Sequence, residues 1–337
     1  MTEPVTTGRR GLFGTLRDIY HERTSFNIVG RSRWWALLSG VLLGGSILAL
    51  LISGLNLGID FEGGSQWDVT VQGKTIDIDD VRDALAGTRG EDADILVLTG
   101  QQDSVRVQTE ELPADERNAI TTALADYAGV EEDAVSFVDV GPTWGEQVTR
   151  KAVTGLIVML LLIAAYLSFR FEWRMALAAL LAVLHDIVIT VGIYAITGFE
   201  VTPATVIAFL TILGFSLYDT VVVLDKVKEN TPALGAERGD TYSRMVNRSL
   251  NQVLMRSINT SLVALLPIVS LLVVGSGVLG AVTLRDFALA LFIGIAVGAY
   301  SSIFVATPLL AWIKEREPRY AALRERALVY EARSAQP

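Results

Sequence analysis

The chain has 337 residues, a net charge of −9 and 51% apolar residues, with a mean hydropathy of +0.43. The acidic balance argues against nucleic acid as a partner, since phosphate binding needs concentrated Lys and Arg. With no cysteine and only His21 and His185 as histidines, disulfides, thiolate ligation and a histidine-rich metal site are excluded, and no metal or cofactor is expected. What distinguishes the composition is its arrangement: the apolar residues are pooled in runs of the roughly 20 residues that cross a bilayer core of about 30 Å.

Residues 1–33 are polar and basic, carrying Arg9, Arg10, Arg17, Arg23, Arg31 and Arg33, and read as a cytoplasmic amino-terminal segment. The first apolar run, 34–55, opens on Trp34 and Trp35, a pair suited to the membrane interface. No small-residue cleavage pattern follows it, so it reads as a retained anchor rather than a removed signal peptide.

Residues 56–149 are rich in Asp and Glu and are expected to form an extracytoplasmic α+β domain. Within it, 66–72 alternates like a strand and 78–86 has helical spacing after an Asp77 cap. The runs 95–99 and 105–109 look like strands paired around 100–104. The stretch 112–128 is amphipathic with Pro113 in its first turn, where proline is tolerated, and 134–140 reads as a strand. The order β-α-β-β-α-β predicts a ferredoxin-like unit.

A five-helix membrane region is expected over 150–312, with spans at about 152–169, 175–197, 202–224, 258–278 and 287–312, followed by a cytoplasmic tail over 313–337. The fold class is therefore a polytopic α-helical membrane protein of six transmembrane helices with one small α+β domain between the first and second. Lys and Arg collect in the amino-terminal segment, the 170–174 linker, the 225–257 linker and the tail. Six spans place all four on one side, which the positive-inside rule makes the cytoplasm. Both termini are then cytoplasmic, in a multi-pass protein of the cytoplasmic membrane. Arg150 and Lys151 break the pattern, but long translocated domains largely escape the rule.

An ionisable residue inside a span costs about 2.5–3.5 kcal/mol on insertion scales and marks a functional site by default. Asp186 lies near the middle of the third span and Asp219 in the far half of the fourth, while Asp225 sits close enough to water to be an end charge. Arg256, ahead of the fifth apolar run, enters from the same side, would reach a similar depth to Asp219 and is expected to be its counter-charge. A carboxylate that alternates between a paired and a desolvated setting can carry a proton. A static pair that fixes helix packing would place the same residues there. For Asp186, satisfaction by His185 or backbone is the simpler reading, and His185 could itself be an ordinary hydrogen-bonded residue or a relay member. Ser216, Thr220, Asn259, Thr260 and Ser261 make these helix faces polar, which suits interhelical hydrogen bonds as well as a water path. Gly294 and Gly298 form a close-packing pattern.

No Walker phosphate loop, nucleophile elbow or His-Glu-x-x-His pair occurs, so the chain is not expected to be an enzyme or to draw energy from nucleotide hydrolysis.

Several motifs, in order from about residue 25 to 312, resemble those of the SecF family, the smaller member of the SecD/SecF pair in the RND superfamily. They are Gly58-Ile59-Asp60-Phe61-Glu62-Gly63-Gly64 after the first span, His185-Asp186 in the third, and Gly214 through Lys226 in the fourth, continuing to Glu229-Asn230. Asn247–Ser261 precedes the fifth apolar run, and Asp286 through Phe304 spans the last. The resemblance implies a complex with a SecD-like subunit beside the SecYEG channel. Its task would be to use the proton gradient to help unfolded preproteins finish crossing after the SecA ATPase has pushed them. It assigns proton coupling to Asp219 and Arg256, with Asp186 as a further member. Where relatives often surround that arginine with polar residues and threonine, this chain has Val253, Met255 and Ser257. Asp60 and Glu62 fit either a turn that starts the soluble domain or a mechanistic role. The alternatives from other classes are an RND-type exporter of small molecules or lipids, and a scaffold that transports nothing.

Overall fold

The structure, a computed structural model, describes residues 26–71, 73, 76–98, 103–235, 239–276 and 282–334. Arg9, Arg10, Arg17 and Arg23, the strand ends at Gln72 and Thr99, and most of the 100–104 turn lie outside the described residues.

Among the described residues, six helices are long and apolar enough to cross a membrane: Val29–Ser53, Pro142–Arg170, Trp173–Thr197, Pro203–Ala233, Tyr242–Gly275 and Leu284–Lys314. Their regular cores are α1 (Ser32–Ser53), α5 (Pro142–Arg170), α6 (Trp173–Thr197), α7 (Pro203–Asn230), α8 (Tyr242–Ser270) and α9 (Val282–Ser301). The last continues through a π-helical turn, Ser302–Ala306, into α10 (Thr307–Lys314). An outer helix, α11, covers Pro318–Ser334.

Local chemistry sets these ends. Pro142 and Pro203 occupy first-turn positions, where the missing N–H costs nothing. Thr202 and Thr205 cap the start of α7 reciprocally, and the Thr241 side chain caps α8, each satisfying an orphan donor. Gly198 closes α6 in the left-handed conformation. Two helices run further than their apolar windows. α5 begins at Pro142 rather than near 152, and α8 at Tyr242 rather than near 258, because polar sequence outside a bilayer keeps helical hydrogen bonds as readily as apolar sequence inside it. Arg256 is thus well inside a continuous helix.

Helix α6 is the most enclosed span, its buried positions running from Met175 to Ala195. It is flanked by α1, α7 and α9. α1 reaches it closely because Gly192 has no side chain; a Cβ there would run into Ser46, whose Cα would be 2.6 Å away. Gly294 and Gly298 on α9 do the same for α7: their Cβ atoms would meet the Ile212 side chain and, at 3.0 Å, the Ser216 Cβ.

Between α1 and α5 stands the small sheet. Its strands β2 (Gly64–Val71), β3 (Asp94–Leu98), β4 (Asp103–Thr109) and β5 (Ser136–Val140) lie in the order β3-β4-β2-β5, every neighbour antiparallel. Helices α3 (Ile78–Ala84) and α4 (Ala114–Ala128) cover one face. Residues alternate across a sheet with a period of two, so Trp67, Val69, Val71, Val105 and Val107 meet Val81, Leu85, Ile120 and Leu124 in a closed apolar core. The other face presents Gln66, Asp68, Arg106 and Gln108, paired across β2 and β4 as Asp68 with Arg106 and Gln66 with Gln108.

A two-residue strand after α1, β1 (Asn56–Leu57), pairs in parallel with β6 (Glu200–Val201), which joins α6 to α7. A single helical turn, α2 (Ile59–Glu62), then leads into Gly63 and Gly64. Both have positive φ, 84° and 131°, and a Cβ on Gly64 would strike the Thr109 carbonyl oxygen. Glycine is required at both places by backbone conformation and close approach.

Candidate functional site

The two carboxylates within the spans sit in different surroundings. Asp186 is buried on α6, with every oxygen engaged. Oδ1 lies 3.1 Å from His185 Nδ1, and Oδ2 accepts from Ser216 Oγ at 2.5 Å and Ser301 Oγ at 2.7 Å. Asp219, on α7, is also buried. Its Oδ1 accepts from the Ser257 hydroxyl of α8, whereas Oδ2 is enclosed with no hydrogen-bond partner among the described residues. The Ser302 hydroxyl stands beside it but donates to the Gly298 carbonyl at 2.5 Å.

Arg256 does not pair directly with Asp219. Its Nη2 donates to the Tyr218 hydroxyl at 3.2 Å, and the side chain is exposed. Two adjacent positions on α8 therefore divide the work. Ser257 faces inward onto the carboxylate, and Arg256 faces outward about 100° away, the step between helical neighbours. Asp225, placed by sequence at the helix end, is tied to Arg170 at 2.6 Å. Unpartnered polar atoms cluster in the same region: His185 Nε2, Thr190 Oγ1, Thr220 Oγ1 and Asp219 Oδ2. In an apolar surround each such atom costs free energy.

A second polar cluster joins the sheet to the membrane helices. Arg106 donates to Glu200 at 2.5 Å and to Asp68 at 2.8 Å. Gln108 Nε2 donates to Glu200 at 2.8 Å and to Gln66 at 2.9 Å, and Gln66 in turn donates to Asp68 at 2.6 Å. Burial opposes the charge on Arg106, but the hydrogen bonds and charges of Asp68 and Glu200 outweigh it, so its pKa rises. Asp60, in α2, is also pushed up, first by burial and then by Glu200, with Arg106 opposing.

A family model described as the carboxy-terminal part of the protein export membrane proteins SecD and SecF matches residues 119–316, and a second, for the SecD/SecF GG motif, matches 48–74. The protein translocase subunit SecF of Streptomyces coelicolor is 43% identical over 96% of this chain and 86% of its own length. The chain belongs to the SecD/SecF protein-export family. The SecDF translocase subunit of Thermus thermophilus is 37% identical over 88% of this chain but only 40% of its own. A crystal structure of SecDF from that genus, described as a translocon-associated membrane protein, superposes with a TM-score of 0.78 at 35% identity, covering 88% of this chain and 39% of that one.

The GG motif of the family falls on Gly63 and Gly64, the pair whose positive φ turns the chain from α2 into β2. The fold brings Asp186 and Asp219 to one pair of packed helices, α6 and α7, and lays Arg256 one residue from the Ser257 that holds Asp219. Sequence reading missed Ser257 as a ligand of Asp219, and it missed Ser301 and Ser302. It also missed the Arg106–Glu200 junction. The signal for that junction was present: polar residues at 66, 68, 106 and 108 all fall on one face of two alternating strands, opposite the apolar face.

Proposed function

We propose that this chain is the SecF-type accessory subunit of the Sec translocase. With a SecD-like partner beside a SecYEG channel, it draws on the proton gradient to promote export of unfolded preproteins driven by SecA. It does so in the cytoplasmic membrane with both termini in the cytoplasm. The observation that carries this reading is Asp219: a carboxylate enclosed in the far half of a span, with one oxygen held by Ser257 and the other without a donor. Such a group gains from binding a proton when desolvated and from releasing it when a cation or water approaches. Arg256, on the next position to Ser257, is the cation within reach of that exchange, and Asp186 is the fixed, fully bonded acid behind it.

The SecD-like partner is supported by two facts. The related SecDF chain is more than twice as long as its match to this protein. Arg256 is an exposed guanidinium at the edge of the apolar stretch of α8, and a charge at that depth is costly unless protein or water covers it. The strand order of the sheet supports a ferredoxin-like unit over 56–149, on the extracytoplasmic side. The small size of that domain favours a translocase subunit over an exporter of small molecules or lipids, which needs an exterior substrate cleft.

Pulse-labelled export of a secreted protein, in cells depleted of the native subunit and complemented with this chain or with Asp219→Asn, tests the reading. Export by the variant should fall to the depleted level while it accumulates in the membrane as well as the parent. Normal export would make Asp219 structural and the protein a scaffold.

A further inference from the structure

Two consecutive serines at the end of α9 face the two buried acids. Ser301 and Ser302 are both fully buried. Neighbouring helix positions diverge by about 100°, so Ser301 turns toward α6 and donates to Asp186 Oδ2 at 2.7 Å. Ser302 turns toward α7 and stands beside Asp219. There the helix widens into the π turn Ser302–Ala306, an irregularity that frequently marks functional sites. The Thr307 hydroxyl reaches the Ser302 and Ile303 carbonyls at 2.9 and 3.0 Å, its one hydrogen shared between them.

The hydrogen-bond inventory around Asp219 is directional. Oδ1 has its donor in Ser257. Oδ2 has none among the described residues, and the neighbouring Ser302 hydroxyl gives its one hydrogen to Gly298 O at 2.5 Å. A hydroxyl that has spent its proton still accepts through its lone pairs. The group that completes this arrangement is a proton on Oδ2.

We propose that Ser302 is the positioning residue for the proton carried by Asp219. With the acid protonated, Oδ2–H donates to Ser302 Oγ, and Ser302 O–H donates to Gly298 O. When the proton passes to water, the bonding pair stays on the carboxylate. The Ser302 hydroxyl then turns from Gly298 O to Oδ2, replacing the lost hydrogen bond. Rotation about the Ser302 Cβ–Oγ bond is all this exchange requires, since the hydroxyl can donate in one direction or the other. This inference rests on the reading of Asp219 as the proton carrier. Of the titratable groups near Asp219, Arg256 on α8 acts on its charge and donates to the adjacent Tyr218, while the His185–Asp186 pair on α6 is reached through Ser301, the residue before Ser302.

Infrared difference spectroscopy of the full chain in lipid nanodiscs, recorded as pH is lowered, reads the proposal directly. The carboxylic C=O stretch of Asp219 is the band lost in Asp219→Asn. In Ser302→Ala that band should persist but shift to higher wavenumber, because its O–H has lost an acceptor. Ser302→Cys, which keeps a weak sulfur acceptor, should shift it the same way by less, and serves if the alanine variant does not accumulate. An unmoved band in the accumulating variant overturns the role of Ser302 and leaves Asp219 as carrier. If Asp219→Asn removes no band, the carrier reading and this inference fall together. A structural role for Ser302 would alter stability without moving that frequency.

Discussion

Asp60 is half-enclosed in the turn between the first span and the sheet, and its pKa is raised chiefly by burial, then by Glu200. A carboxyl whose folded pKa exceeds its unfolded value contributes most below the unfolded value, and that contribution is lost as pH rises through the folded pKa. At neutral pH its ionised form therefore weighs against the fold. Asp60→Asn, which keeps the shape without the charge, should raise the melting temperature at pH 7 and leave it unchanged near pH 3. Thermal unfolding in detergent at the two pH values decides this, and a lower melting temperature at pH 7 would mean that the charge is used by a partner of the turn. The same scale explains why Asp186 and Asp219 differ although both are acids within spans. Among the described residues, one has three hydrogen-bond partners and the other has one.

Among elements, the junction between sheet and membrane helices depends on Glu200. This residue belongs to the loop between α6 and α7, yet it is clasped by Arg106 and Gln108 from β4. Side chains of Arg106 and Glu200 are only 8% and 7% exposed, so neither can recover water if the other is removed. Breaking a buried pair in this way costs about 3–5 kcal/mol. Glu200→Ala should consequently free the sheet from the helices, seen as faster amide exchange in β1 and β6 with the core strands unchanged. Unchanged exchange would show that the β1–β6 pairing holds the junction alone. Between helices, Gly192→Ala should push α1 off α6 at Ser46. Overpacking of this kind costs about 1–3 kcal/mol, measurable as a lower unfolding midpoint, and a midpoint equal to the parent's would show that α1 shifts without loss.

At the scale of the whole molecule, the six spans leave much apolar surface outward, including Leu262, Val263 and Leu266 on α8, as a lipid-facing protein should. Arg256 and Asn259 interrupt that surface. A polar stripe of this kind is expensive against hydrocarbon and fits a protein partner at the same depth. Arg256→Ala should weaken association with a SecD-like subunit by roughly tenfold, about 1.4 kcal/mol, in a nanodisc binding titration. Undiminished affinity would place the partner on another face.

Hydropathy and motif order alone determined the number of spans, the acidic domain between the first two, the family and the two intramembrane acids. Bilayer insertion is dictated by local composition, and the GG pair by local backbone conformation. The order of strands and helices in the sheet was likewise visible as alternating and helical periods. Tertiary structure alone decided which groups meet. That Ser257 rather than Arg256 touches Asp219 depends on the azimuth of α8 against α7, set by packing over its length. That Ser216 and Ser301 converge on Asp186 needs three helices at once. That Glu200 reaches Arg106 joins residues 94 apart in the chain. Serine at a helix interface is common for packing reasons, so no sequence pattern separates a hydroxyl that fills space from one that holds an acid; only the direction of its hydrogen bond does.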